Sequence, residues 1–255
     1  MTTVEGLRRG RTEARETSPI MPAADGAVDA SLAFLPAVVA DMVRLQRLTG
    51  ARPAEVCILR PCDLDRNGDV WLYRPESHKT QHHGRERVIF IGPQAQAVLL
   101  RYLARDHEVF CFRPCDSMAK HLAERAAART TRLTCGNIPG SNRRKKPRTV
   151  PGECYGVDTY RRAITRACDK AFPHPSLDGI RKPMLTIEHK LELKAWQKSH
   201  RWTPKQLRHA AATEVRREFG LEAAQVMLGH SRADVTQVYA ERDLAKGVEV
   251  AKRIG

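Results

Sequence analysis

The sequence predicts a mainly α-helical fold carrying one small antiparallel β-sheet. Three observations point there. Most apolar residues recur at helical spacing, as in Val38, Val39, Met42, Val43 and Leu45, or in Leu207, Ala211 and Val215. Only two short runs, VWLYRP (70–75) and RVIFIG (87–92), alternate as strands do, and the polar stretch between them reads as a hairpin loop. Prolines and glycines fall where helices should open and close: Pro53, Pro93 and Pro204 at starts, Gly50, Gly220 and Gly229 at stops.

Taken in order, residues 1–32 mix charge with Thr, Pro and Gly without periodicity and read as a disordered leader. A helix from about Leu35 to Leu48 follows, ended by Gly50. In TGARPAEVCILRP, Pro53 opens a short helix that Pro61 breaks, with Arg52 at its very start and Glu55 placed to orient it. The N–H groups of such a helix start also favour an anion. The hairpin then encloses ESHKTQHHGRE, with His78 and Lys79 at its near end. Gly92-Pro93 opens a helix to about Arg105, EVFCF suggests a brief strand, and Asp116 should cap an Ala-rich helix to about Arg129. Residues 130–152 contain the basic run Arg143, Arg144, Lys145, Lys146 and Arg148, a loop suited to tracking a phosphate backbone or to standing in solvent. Val157–Phe172 is amphipathic and basic on one side, and Ile187–Trp196 is helical after a Pro-rich link. Thr203-Pro204 opens a helix that Gly220 stops; Leu221–Leu228 is a second, stopped by Gly229; Asp234 caps a third bearing Val235, Val238 and Tyr239. Residues 244–255 form a short amphipathic tail helix.

Composition narrows the partner. The chain has 255 residues and a net charge of +15, with a pI near 9.9, a balance that favours a polyanion. Aromatic residues make up 5%, too few for a large platform that stacks single strands. No apolar run approaches a membrane span, and the N-terminal residues lack the apolar core of a signal peptide. The seven cysteines form no Cys-x-x-Cys pair and fit reduced thiols in a cytoplasmic compartment. A zinc site on Cys111 and Cys115 lacks the ligand spacing.

The chemistry concentrates in residues 203–242. Each turn there carries a polar side chain that a substrate could meet: Arg208 with His209, then His230, then Tyr239. Such a set suits a phosphodiester. An arginine fork grips two phosphate oxygens, a histidine donates a hydrogen bond or moves a proton, and a tyrosine attacks phosphorus and holds it covalently.

The ordered set LRHAAAT (207–213), LGHS (228–231) and Tyr239 within VTQVYAERD resembles the catalytic part of tyrosine recombinases, the phage integrase family. TGARPAEV is similar to that family's first arginine box. The resemblance implies the tyrosine recombinase catalytic-domain fold over residues 33–243 and a site-specific DNA breaking-rejoining activity. It implies Tyr239 as nucleophile, Arg52 and Arg208 as the phosphate clamp, and His230 assisting. It further implies Lys79 as the acid for the leaving 5′ oxygen and Glu55 as the partner of Arg52. It implies double-stranded DNA as the partner and no need of a metal, cofactor or small-molecule substrate, because the covalent link would conserve the energy of the phosphodiester. Family tails often dock on a neighbouring protomer, so self-association on DNA through residues 244–255 is expected, in the cytoplasm with the nucleoid.

Two departures stand out. Lys205 occupies the position where the family has histidine, three before the arginine. The family's N-terminal core-binding domain is not evident ahead of residue 33. Both leave open a DNA-binding remnant that no longer cuts; a type IB topoisomerase shares the tyrosine chemistry, but LGHS favours the integrase reading.

Overall fold

The computed structural model describes residues 20–78, 86–135, 150–180 and 182–229. Its centre is helix α2 (Ala37–Thr49), which follows Pro36 and ends on Gly50 in the left-handed conformation, φ 62°. Val38, Val39, Met42, Val43 and Leu45 bury its apolar side. Against it pack α3 (Pro53–Cys57), α4 (Pro93–Leu103) and α8 (Pro204–Phe219). Helix α9 (Leu221–Leu228) folds back on α8 across Gly220.

The reading of residues 1–32 as a disordered leader is corrected over its last turns. Asp25–Leu32 form helix α1, which packs on α6 (Val157–Ala171). Val28 is fully buried there, and Ser31 accepts a hydrogen bond from the Trp202 indole at 3.1 Å. Only one apolar residue in this short segment is deeply buried, so helical periodicity was too weak to show. Residues 1–19 lie outside the described residues.

The sheet has three antiparallel strands in the order β1 (Leu64–Asp65), β2 (Trp71–Tyr73), β3 (Ile89–Ile91), with Tyr73 opposite Ile89. The two-residue β1 was not foreseen. The strands present Tyr73, Ile89 and Ile91 to the core, while Val70 is exposed and Leu72 and Phe90 are half-buried. Two further expectations fail locally. EVFCF is not a strand; Cys111 joins the core through an N–H bond to the Leu59 carbonyl at 2.8 Å. Helix α5 (Pro114–Ala127) starts at Pro114 with Arg113 in the capping position, so Asp116 lies in its first turn. Helix α7 (Ile187–His200) runs a turn beyond the expected end.

One polar residue fastens the core. Gln46 on α2 is fully buried and donates to the carbonyls of Ala51 and Pro204, at 3.1 and 3.0 Å, and accepts from the Tyr160 hydroxyl at 3.0 Å. A buried amide with three satisfied bonds fixes one register among the packed segments it links. Here it sets the loop after α2 against the start of α8 and against α6.

Candidate active site

The loop after α2 carries Arg52, the first candidate. Arg52 precedes Pro53, whose fixed φ suits the first helical position. Its N–H donates to Glu55 Oε2 at 2.7 Å, and its Nη1 donates to Glu55 Oε1 at 2.6 Å. The carboxylate of Glu55 therefore takes the helix-start N–H that the sequence had offered to an outside anion. The Arg52 side chain keeps about one-fifth of its surface exposed, whereas Glu55 is buried.

Helix α8 opens with Thr203 and Gln206 forming a capping box, and Gln206 Oε1 accepts from the Thr203 N–H at 2.9 Å. This start places Lys205 in solvent and turns Leu207, Arg208 and His209 inward. Arg208 is not displayed at a turn as the sequence suggested. It is 2% exposed; its Nη1 donates to the Gly50 carbonyl at 2.7 Å and its Nη2 to the Leu228 carbonyl at 2.8 Å. Those carbonyls end α2 and α9, where a helix carries partial negative charge and lacks internal donors. A fixed guanidinium fork matches two such acceptors.

The approach is close because Gly50 has no side chain. A Cβ there would lie 3.0 Å from Leu228 Cδ2 and 3.5 Å from Ala211 Cβ. Arg208 thus ties Gly50, two residues before Arg52, to Leu228, two residues before His230 in sequence.

A third cation joins them. Arg87, at the foot of β3, is buried, and its Nε donates to Glu55 Oε1 at 3.3 Å. Its Nη1 donates to the Val88 carbonyl at 3.0 Å and makes a long 3.5 Å contact to the Met227 carbonyl. Gly229, at φ 63°, lies directly over it: a Cβ there would come within 2.4 Å of Arg87 Nη1. Burial by itself raises the Glu55 pKa, but the guanidiniums of Arg87 and Arg52, with the two bonds from Arg52, outweigh it and hold the carboxyl below the usual range. Glu55 is therefore an anion between two cations.

The structure thus pairs Arg52 with Glu55 and bonds Arg208 to the turn that precedes Arg52 and to the end of α9. It sets His209 in the core and Lys205 on the surface. His78 is half-buried at the end of the described part of the hairpin. Lys79, His230, Tyr239 and the basic run Arg143, Arg144, Lys145, Lys146 and Arg148 lie outside the described residues. Among the described residues, no group of three or more His, Cys, Asp or Glu could hold a metal ion, and no helix is long and apolar enough to cross a membrane.

Sequence reasoning missed Arg87. Side chains two apart share a face of a strand, so Arg87 follows Ile89 and Ile91 inward, but the sequence alone does not say which face is the inner one.

Comparison with known proteins bears on the fold and the family. The Tn1549 transposon integrase, solved in complex with circular intermediate DNA, matches with a TM-score of 0.53 and 17% identity over 94% of this chain and 69% of that one. XerA recombinase matches with a TM-score of 0.50 and 17% identity over 94% of this chain and 66% of that one. XerH site-specific recombinase bound to its difH substrate gives 0.49 and 13% identity, and this chain spans 55% of its length. At these identities the likeness is one of fold. No curated protein matches the chain. The sequence profile of the phage integrase family, in turn, matches residues 12–245. The chain belongs to the phage integrase family, and its fold is that of the tyrosine recombinase catalytic domain.

Proposed function

We propose that this chain is a site-specific DNA recombinase that cuts and rejoins double-stranded DNA through a 3′-phosphotyrosyl intermediate on Tyr239. The observation that carries the reading is the pair of hydrogen bonds that Arg208 donates to the Gly50 and Leu228 carbonyls, which draws the Arg52 loop and the turn after α9 to one place. In the proposed step, Tyr239 Oη bonds to phosphorus and the bond from phosphorus to the 5′ oxygen breaks. Lys79 protonates the departing oxygen. Arg52 and Arg208 neutralise the non-bridging oxygens as charge builds, a contribution of several kcal/mol in a preorganised site. The phenol proton of Tyr239 leaves for solvent water as the oxygen attacks, and the same cations ease that ionisation, the ordinary pKa of a phenol being about 10. Attack by another strand's 5′ hydroxyl on the phosphotyrosine reverses the step and rejoins DNA in a new order.

Burial orders the events. Arg52 is partly exposed and meets the phosphate first; Arg208 reaches it only when its cover shifts as DNA seats. Lys205, in solvent on the first turn of α8, supplies charge and a hydrogen bond where relatives have histidine. The basic run 143–148 and His78 contact the DNA backbone, and residues 244–255 dock on a second copy bound to the same DNA. The protein works in the cytoplasm, at the nucleoid.

Incubation with a nicked suicide duplex tests the reading. A covalent protein–DNA adduct is expected from the native chain and none from Tyr239→Phe. Lys205→His should keep adduct formation, and Lys205→Ala should slow it about 10²-fold. Duplex binding without any adduct would instead identify a DNA-binding remnant. Relaxation of supercoils without strand exchange would identify a topoisomerase.

A further inference from the structure

We propose that Arg87 is a positioning residue for the cleavage step: by sharing Glu55 with Arg52, it keeps the Arg52 guanidinium available to the scissile phosphate, and it locks the turn before His230 beside it. The inference rests on the strand-transfer reading above.

The geometry carries it. Glu55 Oε1 accepts from both Arg52 Nη1, at 2.6 Å, and Arg87 Nε, at 3.3 Å. Arg52 and Glu55 alone would form a neutral ion pair with little attraction for an anion. With Arg87 the cluster carries a net positive charge, and Arg52, the member that reaches solvent, presents it. The 3% exposure of Arg87 keeps that charge from being screened by water. Its other end, beneath Gly229 and in reach of the Met227 carbonyl, fixes the last turn of α9 to the same cluster. Arg87 also lies two residues before β3. One side chain thus touches the arginine box, the hairpin base and the LGH turn.

Stability alone does not account for it. Arg87 Nη2 meets no acceptor among the described residues. A buried guanidinium with an unmet donor serves packing worse than an apolar side chain of similar length.

The test compares two nicked duplexes, one with the native scissile phosphate and one with an uncharged methylphosphonate there. Arg87→Met, Arg87→Gln and Arg87→Lys are measured by single-turnover adduct formation, with thermal melts to check folding. On the native phosphate, Arg87→Met and Arg87→Gln should be slower by about 10² or more, and Arg87→Lys should recover most of the rate. On the methylphosphonate, where less charge needs neutralising, the loss should shrink to about fivefold or less. A native-like rate in the folded Met or Gln variant overturns the inference. So does an equal loss on both duplexes in whichever variants fold, since a purely structural defect ignores the charge of the substrate. If the native chain forms no adduct on either duplex, the strand-transfer reading itself fails and Arg87 has no such step to serve.

Discussion

Replacing Arg208 with alanine is expected to remove cleavage and to loosen the fold together. The substitution leaves the carbonyls of Gly50 and Leu228 without their donor in a buried place. Hydrogen bonds from a charged donor contribute about 1.5–3 kcal/mol each, so the two together predict a loss of about 3 kcal/mol or more. Chemical denaturation should show it as a lower midpoint. The rate of adduct formation should fall by about 10³ or more, the scale of losing a cation aimed at a transferring phosphoryl group. Arg208→Lys separates the two roles. An ammonium keeps the charge but cannot span both carbonyls as a planar fork does. It should recover part of the stability and little of the rate.

The second large effect is at Glu55. Alanine there strands the buried Arg87 and frees Arg52 from its two bonds. Removing one member of a buried ion pair costs about 3–5 kcal/mol, much of it from the charge left behind. Glu55→Gln keeps the shape without the charge and should destabilise less, while still slowing adduct formation.

The same residue sets an acid limit. The folded state holds the Glu55 carboxyl below its ordinary pKa, once the raising effect of burial is outweighed by Arg87 and Arg52. Its contribution to stability is therefore complete above the unfolded value of about 4.3 and is lost as pH falls through the folded value. Denaturation of the native chain from pH 7 downward should show this loss, and Glu55→Gln should lack that part of it. Equal acid sensitivity in both proteins would contradict the account.

Much of the fold was legible because helix boundaries depend on local chemistry. Thr203-Pro204, Gly220 and Gly229 bounded α8 and α9 correctly, since caps and left-handed turns need particular residues whatever lies around them. Arg52 with Glu55 was legible for the same reason, being a pair three residues apart at a helix start. What failed was tertiary. Helix α1 has a weak apolar stripe and is held by contacts with α6 and Trp202, which no local pattern records. The burial of Arg208 depends on two carbonyls distant in sequence, so spacing along α8 could mark its importance but not its surroundings. Arg87 was hidden because a lone arginine before a short strand looks like any surface charge until the inward face of the strand is known. Gln46 carries no local mark of its role, although it joins three segments of the core.

The central claim is that Arg52, Arg208 and Tyr239 act on a single phosphorus atom. Its most direct test is a crystal structure of the chain on a nicked duplex carrying orthovanadate at the nick, where vanadium adopts the five-coordinate geometry of the transferring phosphoryl group. Both guanidiniums should lie within about 3 Å of vanadate oxygens, with Tyr239 Oη in an apical position. An Arg208 still bound to Gly50 and Leu228 and away from the vanadate oxygens, or a Tyr239 hydroxyl away from the vanadium, would contradict the account.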